Sequence, residues 1–296
     1  MKVLLSGSSG TVGQAVRTLL LQHGHAVRCL VRGPAARDGE VRWSPERGEV
    51  PIEPLEWADA VVSLNGAPLA TLPWTERRRR LIVESRVAVT RLLAQAIGTA
   101  RRAPQVWLSA SATGVYGDRP GERLTESSVP GTGFLADVAA AWEDATGPAA
   151  NATRVVLART GVVLSSGAGL LVPVRRLAAV GLAGPIGGGR QHWPWISLGD
   201  EARAIVHLLA ASDMSGPVNL ASPVAATAGE VTRAVARALH RPHLVPAPAW
   251  ALRAALGDAA RDLLLADQRV VPARLVAEGA FRFEDLDLEE VVRSCL

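Results

Sequence analysis

Lys2-Val3-Leu4-Leu5-Ser6 runs directly into Gly7-Ser8-Ser9-Gly10-Thr11-Val12-Gly13, and Gln14 to Gln22 then carries a helical pattern. Val3 to Leu5 is the short apolar run of a strand buried on both faces. Three glycines at this spacing let the chain turn tightly, bring backbone N–H groups against a pyrophosphate and pack the next helix close to the sheet. No Lys or Arg occurs from Ser6 to Val16, so an anion would be held by the helix's own partial positive charge and free amides. A second apolar run, Ala26 to Val31, completes a β-α-β unit. The stretch therefore predicts a dinucleotide site.

The tip of the second strand selects the dinucleotide. Sites that prefer NAD place an Asp or Glu about 20 residues past the glycines, where it accepts from the ribose 2'-OH. Here the chain reads Val31-Arg32-Gly33. A carboxylate would repel a 2'-phosphate, whereas a guanidinium binds it through charge-assisted hydrogen bonds. The expected cofactor is NADP.

Further strands are predicted at Ala60 to Leu64, Gln105 to Ser109, Arg154 to Leu157 and Val218 to Leu220, with helices over Glu76 to Ile97 and Leu135 to Asp144. This alternation predicts an α/β fold, a doubly wound parallel (Rossmann) sheet with a smaller C-terminal substrate lobe. Residues 1–165 would form the dinucleotide-binding domain and 166–296 mainly the substrate lobe, with the strand near 218–220 returning to the sheet. Ligands bind such sheets at the carboxyl ends of the strands. Those ends carry Leu64-Asn65-Gly66, Ser109-Ala110-Ser111 and Thr160-Gly161-Val162-Val163. After Ser166 glycines break the chain into loops up to Trp193-Pro194-Trp195, and helical spacing returns at Ala228 to Leu239 and Trp250 to Asp267.

The remaining composition narrows the function. At 48% apolar and 20% charged the chain has the make-up of a soluble globular protein, with no apolar stretch of membrane-spanning length. The first residues do not form a secretory signal, so the cytoplasm is the expected compartment. Cys29 and Cys295 offer neither a disulfide framework nor metal-ligand spacing. The net charge is +4, and the run Arg77 to Arg80 lies beside Glu76 and Glu84, which fits a solvated helix face and not a nucleic-acid surface. The expected partner is a small molecule, with neither nucleic acid nor membrane; oligomeric state is not legible.

These features together resemble the short-chain dehydrogenase/reductase superfamily in its extended epimerase/dehydratase branch. Gly7 to Gly13, Val31-Arg32, Trp74-Thr75-Glu76, Ser85-Arg86, Ser109 to Gly117, Phe134-Leu135-Ala136, Trp142-Glu143 and Arg159 to Leu164 narrow it to the atypical NADP-dependent epimerase-like family. Gly187 to Gln191, Trp195-Ile196, Val218-Asn219, Gln268 to Pro272 and Gly279 to Phe283 are similar to its later motifs, and that family ends in a small C-terminal domain, here roughly 245–292. The resemblance implies that Gly7, Ser8, Ser9, Gly10, Thr11, Val12 and Gly13 hold the pyrophosphate and that Val31 and Arg32 hold the adenosine ribose and its phosphate. It further implies that Leu64, Asn65 and Gly66 lie beside the adenine-ribose half, Arg86 reaches the cofactor, Ser109 contacts it, and Val163 packs near the nicotinamide. The chain departs from the family in reading Ser63-Leu64-Asn65-Gly66 for Asn-Leu-Ala-Gly.

The superfamily's usual Tyr-x-x-x-Lys pair is impossible, because Lys2 is the only lysine and Leu135 and Ala139 occupy the expected positions. Ser111 matches the superfamily's substrate-orienting serine, and Tyr116, the only tyrosine, takes a position that lines the pocket in relatives. With an ordinary pKa near 10, Tyr116 used as a base at pH 7 would cost roughly 4 kcal/mol, a handicap it lacks as an acid. The expected chemistry is therefore NADPH-dependent reduction of a carbonyl or enone, with Ser111 and Tyr116 as catalytic residues. A cofactor-binding regulatory or scaffold protein and a nucleotide-sugar epimerase or dehydratase stay open, the latter with Arg175, Arg176 and Arg190 available to a diphosphate. Weaker acid/base candidates are Glu126, Asp137, Glu143 and His192, and Trp43, Trp74, Trp193 and Trp195 are candidate pocket walls.

Overall fold

In the computed structural model, which describes residues 1–277 and 281–296, alternation along the strands creates the layers. In β1 (Lys2–Ser6), Val3 and Leu5 enter one core and Leu4 the opposite one. The first core is closed by α1 (Thr11–Gln22), which contributes Val16 and Leu20. Next come β2 (Ala26–Val31), β3 (Glu40–Arg42) and β4 (Ala60–Ser63). The second core is covered by α2 (Glu76–Thr99), started by Thr75 Oγ1 accepting from the Arg78 amide, and packs Leu93 and Ile97 against Trp107 of β5 (Val106–Ala112). Then follow α3 (Phe134–Asp144), β6 (Arg154–Thr160), α4 (Leu198–Ala210) and β7 (Gly216–Leu220).

The seven strands form one parallel sheet in the order β7-β6-β5-β4-β1-β2-β3. Each Leu- or Ile-sized side chain taken out of water on either face contributes about 1.5–3 kcal/mol. The chain moves outward from β1 to β3 and returns to β4, so the crevice between β1 and β4 is the switch point at which such sheets take their ligands.

After β6 the strands Val162–Leu164 and Trp195–Ser197 pair with each other, and the helices Leu171–Ala179, Ala228–Ala238 and Leu288–Ser294 pack with them into a core of their own. Thr227 and Glu230 close a reciprocal cap on the second of these helices. The helical spacing from Trp250 to Asp267 does not make one helix: Ala249–Leu256 stops at Gly257, whose φ of 57° breaks the ladder, before Asp258–Ala260 and a wider turn to Leu265. Gly279 and Ala280 of the last motif lie outside the described residues, while Phe281 and Phe283 stack edge-on at 4.9 Å against the first core.

Candidate active site

Gly7 leaves β1 with φ 81°, and a Cβ there would lie 2.7 Å from the Leu64 carbonyl oxygen. Gly13 is tighter still, with only 2.2 Å between its would-be Cβ and the Gly7 carbonyl oxygen. The turn therefore needs glycine at both ends for steric reasons. Gly10 caps α1 without any side-chain hydrogen bond, and no acidic residue stands in the first turn. A bare helix start of this kind, flanked by Ser8, Ser9, Thr11 and Val12, fits a pyrophosphate. Asn65 is tied back to the end of β1, its Oδ1 accepting from Ser6 Oγ at 2.5 Å. Ser63 is spent on the opposite side, accepting from Trp107 Nε1 at 3.0 Å.

Beside the turn a groove is lined by Ser8, Ser9, Gln14, Arg17, Val31 and Arg37. Arg32, which follows Val31 in the chain, is exposed and makes no ion pair or hydrogen bond within the described residues. Glu40 Oε2 accepts from the Ala36 and Arg37 amides and so shapes the loop that carries Arg37. Arg17 and Arg37 are cations that the motif alone did not reveal, because they are contributed by a helix and a loop.

A cavity of about 340 Å³ opens at the carboxyl ends of β4, β5 and β6. Val12, Leu64, Leu135, Val138, Trp142, Val162 and Trp193 give it largely apolar walls, and Arg86, Ser111, Thr160, Glu201, Asp262 and Gln268 supply polar points. Arg86 lies against Gly66, donates to the Ile82 and Ala67 carbonyls and sits over the Trp142 ring at 5.2 Å. Burial, with Arg78 adding repulsion, lowers its pKa to about 10, so it stays a cation at neutral pH. Of the four candidate tryptophans Trp193 lines the pocket; Trp43 and Trp195 are core residues, and Trp74 packs on Phe134.

Several expected site residues are placed otherwise. Tyr116 is wholly buried and does not line the cavity: its hydroxyl donates to Asn219 Oδ1 at 2.7 Å and accepts from Arg159 Nη1 at 3.0 Å. Burial pushes its pKa up against the pull of Arg159, so it has neither a free proton nor any aptitude as a base. Ser109 is also wholly buried, one turn of the pleat below Ser111. Val163 packs into the core, and its neighbour Val162 faces the cavity. His192 does not line the cavity and pairs with Asp267 Oδ1 at 2.8 Å.

Among the carboxylates, Asp137 is exposed, and Glu126 is buried where it receives the amides of Asn219 and Arg274. Glu143 is not the solvated helix-surface group its position suggests: it holds Arg159 in a buried pair and accepts from Ser111 Oγ at 2.6 Å. The spacing carried a signal, since Glu143 continues the stripe of buried Ala136 and Ala139.

The residue that the sequence reading missed is Glu201. Only 1% of it is exposed, Thr160 Oγ1 donates to its Oε1 at 2.8 Å, and its Oε2 has no partner within the described residues. Burial raises its pKa to about 8 against the pull of Thr160. Its helical stripe, with buried Ala204, Ile205 and Leu208 at i+3, i+4 and i+7, is the pattern that marks a carboxyl on a core-facing side.

Comparison with known proteins agrees with this architecture. A model described as NAD dependent epimerase/dehydratase family matches residues 3–221, and one described as a domain of unknown function (DUF1731) matches residues 247–295. An epimerase family protein of Mycobacterium bovis is 40% identical over 291 residues, covering 98% of this chain and 96% of that protein. The crystal structure of human epimerase family protein SDR39U1 (isoform 2) with NADPH superposes with a TM-score of 0.90 at 30% identity, covering 100% of this chain and 99% of that one. A nucleoside-diphosphate sugar epimerase from Corynebacterium glutamicum superposes with a TM-score of 0.79 at 32% identity, covering 99% of this chain and 57% of that one. Among the described residues no helix is long and apolar enough to cross a membrane, and no cluster of His, Cys, Asp or Glu has metal-holding geometry.

Proposed function

Because the chain belongs to the NAD dependent epimerase/dehydratase family, we propose that it binds NADP(H) and uses it to reduce a carbonyl or enone of a small, weakly polar molecule. One observation carries the proposal: the bare start of α1 and a largely apolar cavity meet at Val12, so a dinucleotide seated on the turn would present its far end to that cavity. Gly7 to Gly13 would hold the pyrophosphate by backbone amides. Arg32, with Arg37 of the groove beside the turn, would hold the 2'-phosphate, and the NADPH in the human relative's structure supports that choice over NAD. When bound, the cofactor supplies the hydride.

This chain's own residues supply orientation and exclusion of water. Arg86 places one positive charge on the wall, and Ser111, its proton committed to Glu143, offers an acceptor and not a donor. Arg175, Arg176 and Arg190 do not line the cavity, which disfavours a nucleotide-sugar diphosphate there. Cys29 and Cys295 are free and lie in separate cores, in keeping with a reducing compartment such as the cytoplasm. The regulatory reading keeps one point in its favour, Leu135 and Ala139 in place of the catalytic pair.

Calorimetry with NADPH and NADH, followed by NADPH oxidation against a panel of ketones, enones and uridine diphosphate sugars, tests the proposal. The expected result is saturable NADPH binding and oxidation with a ketone or enone. Binding without oxidation by any of them would favour the regulatory reading, and epimerisation of a uridine diphosphate sugar would favour the other.

A further inference from the structure

Glu201 is a buried carboxyl group in the wall of a ligand-sized cavity, with one oxygen fixed and the other unpartnered. Thr160 Oγ1 donates to Oε1, so a proton on the carboxyl belongs on Oε2. We propose that Glu201 is the catalytic acid of this site, donating Oε2–H to the carbonyl oxygen of the substrate. This rests on the reductive reading above.

The surroundings favour the neutral acid. On the elements that pack against α4, the cations are engaged elsewhere: Arg154 of β6 donates to the Leu208, Leu209 and Met214 carbonyls, and Arg159, one residue from Thr160 on the other face of the strand, holds Glu143. Arg17 of α1 lies by the groove on the glycine turn. On α4 itself Asp200 is paired with Arg203, while His207 sits beside Phe281. Across the cavity Arg86 is held over Trp142, and Asp262 is paired with Arg261. A helix start favours a carboxylate by less than burial disfavours it here, and the net effect raises the Glu201 pKa to about 8.

The step balances with the groups named. Hydride supplied by NADPH reduces the carbonyl carbon while the C=O π pair moves to oxygen and takes the proton from Oε2, leaving NADP⁺, an alcohol and a carboxylate that water reprotonates. The same site explains how a chain with one lysine, and with its only tyrosine buried, can protonate a product. It also selects the substrate: the reacting group must be a hydrogen-bond acceptor, because a neutral carboxyl at this position donates.

The test uses the full chain, NADPH and phenanthrenequinone as the carbonyl probe. Infrared difference spectra between pH 6 and pH 10 should show a carboxylic-acid band that titrates near pH 8 in the parent and is missing in Glu201→Gln. Quinone reduction should fall above that pH in the parent, and Glu201→Gln should lose 100-fold or more in kcat with NADPH affinity unchanged. Glu201→Asp should recover part of the loss. An absent band would overturn the assignment without any variant. Equal kcat in Glu201→Gln and parent would overturn it while leaving the reductase reading intact. NADPH binding with no reduction by the parent would remove the reading and the assignment together.

Discussion

Arg159 grips Glu143 along one edge of its guanidinium, Nε donating to Oε1 and Nη2 to Oε2, each at 2.8 Å, with both side chains nearly excluded from water. The pair fastens the last turn of α3 to β6 and, through Ser111, sets one wall of the cavity. Nη1 of the same arginine reaches Tyr116, so one cation organises the serine and tyrosine that the sequence singled out.

Breaking this pair on one side leaves an uncompensated buried charge. Glu143→Ala is expected to lower stability by about 3–5 kcal/mol in urea unfolding. The double variant Glu143→Ala/Arg159→Met, which removes the charge as well, should recover at least half of that. A double variant no more stable than the single would show that the pair's role is not electrostatic.

Tyr116→Phe removes one donor and one acceptor from a buried network, so about 1–3 kcal/mol of stability should be lost. Turnover of a carbonyl probe should change less than tenfold. A hundredfold loss of kcat at full folding would return the proton-donating role to the tyrosine.

Gly13→Ala drives a methyl group into the Gly7 carbonyl, whereas a methyl group at Gly10 meets its nearest atom at 3.4 Å. The first substitution should abolish measurable NADPH binding and lower the melting temperature. The second should cost about 1 kcal/mol or less. Fluorescence titration of NADPH separates the two, and equal binding by both variants would contradict the steric argument.

Arg32→Ala should reduce the preference for NADPH over NADH by about 1.5–3 kcal/mol, the worth of hydrogen bonds to a charged group. Arg37 lines the groove that Val31 also lines, so the preference should vanish only in the Arg32→Ala/Arg37→Ala variant. Thermal shifts with each coenzyme report the difference by mass action.

Glu201 also gives stability a pH signature. Its pKa of about 8 in the folded chain lies above the ordinary 4.5, so between these values the native state holds a proton that the unfolded chain has released. Stability therefore falls as pH rises through this window, by about 5 kcal/mol at most. Glu201→Gln should remove that slope and be the more stable protein at pH 9. Parallel urea midpoints for parent and variant from pH 5 to pH 9 would contradict it.

The strand, glycine turn and helix from Lys2 to Gln22 were legible because each depends on neighbours in the chain: an apolar run, a steric need for glycine and the orphan amides of a helix start. The parallel sheet followed from the same local signals repeated, and the extra length of β5 and β6 reflects pairing between them. The broken helix after Trp250 was not legible, since helical spacing continues across Gly257 while the backbone does not.

Local chemistry thus determined that this chain builds a nucleotide-type sheet and lacks the usual Tyr-Lys pair. Only folding decided which polar groups meet. Tyr116 and Asn219 are 103 positions apart and Thr160 and Glu201 are 41 apart, and each pair forms a hydrogen bond because parallel strands and their helices bring distant segments side by side. Burial then changes what those groups can do: it ties up the tyrosine's proton and leaves one glutamate neutral, effects that depend on surrounding atoms and are absent from residue order.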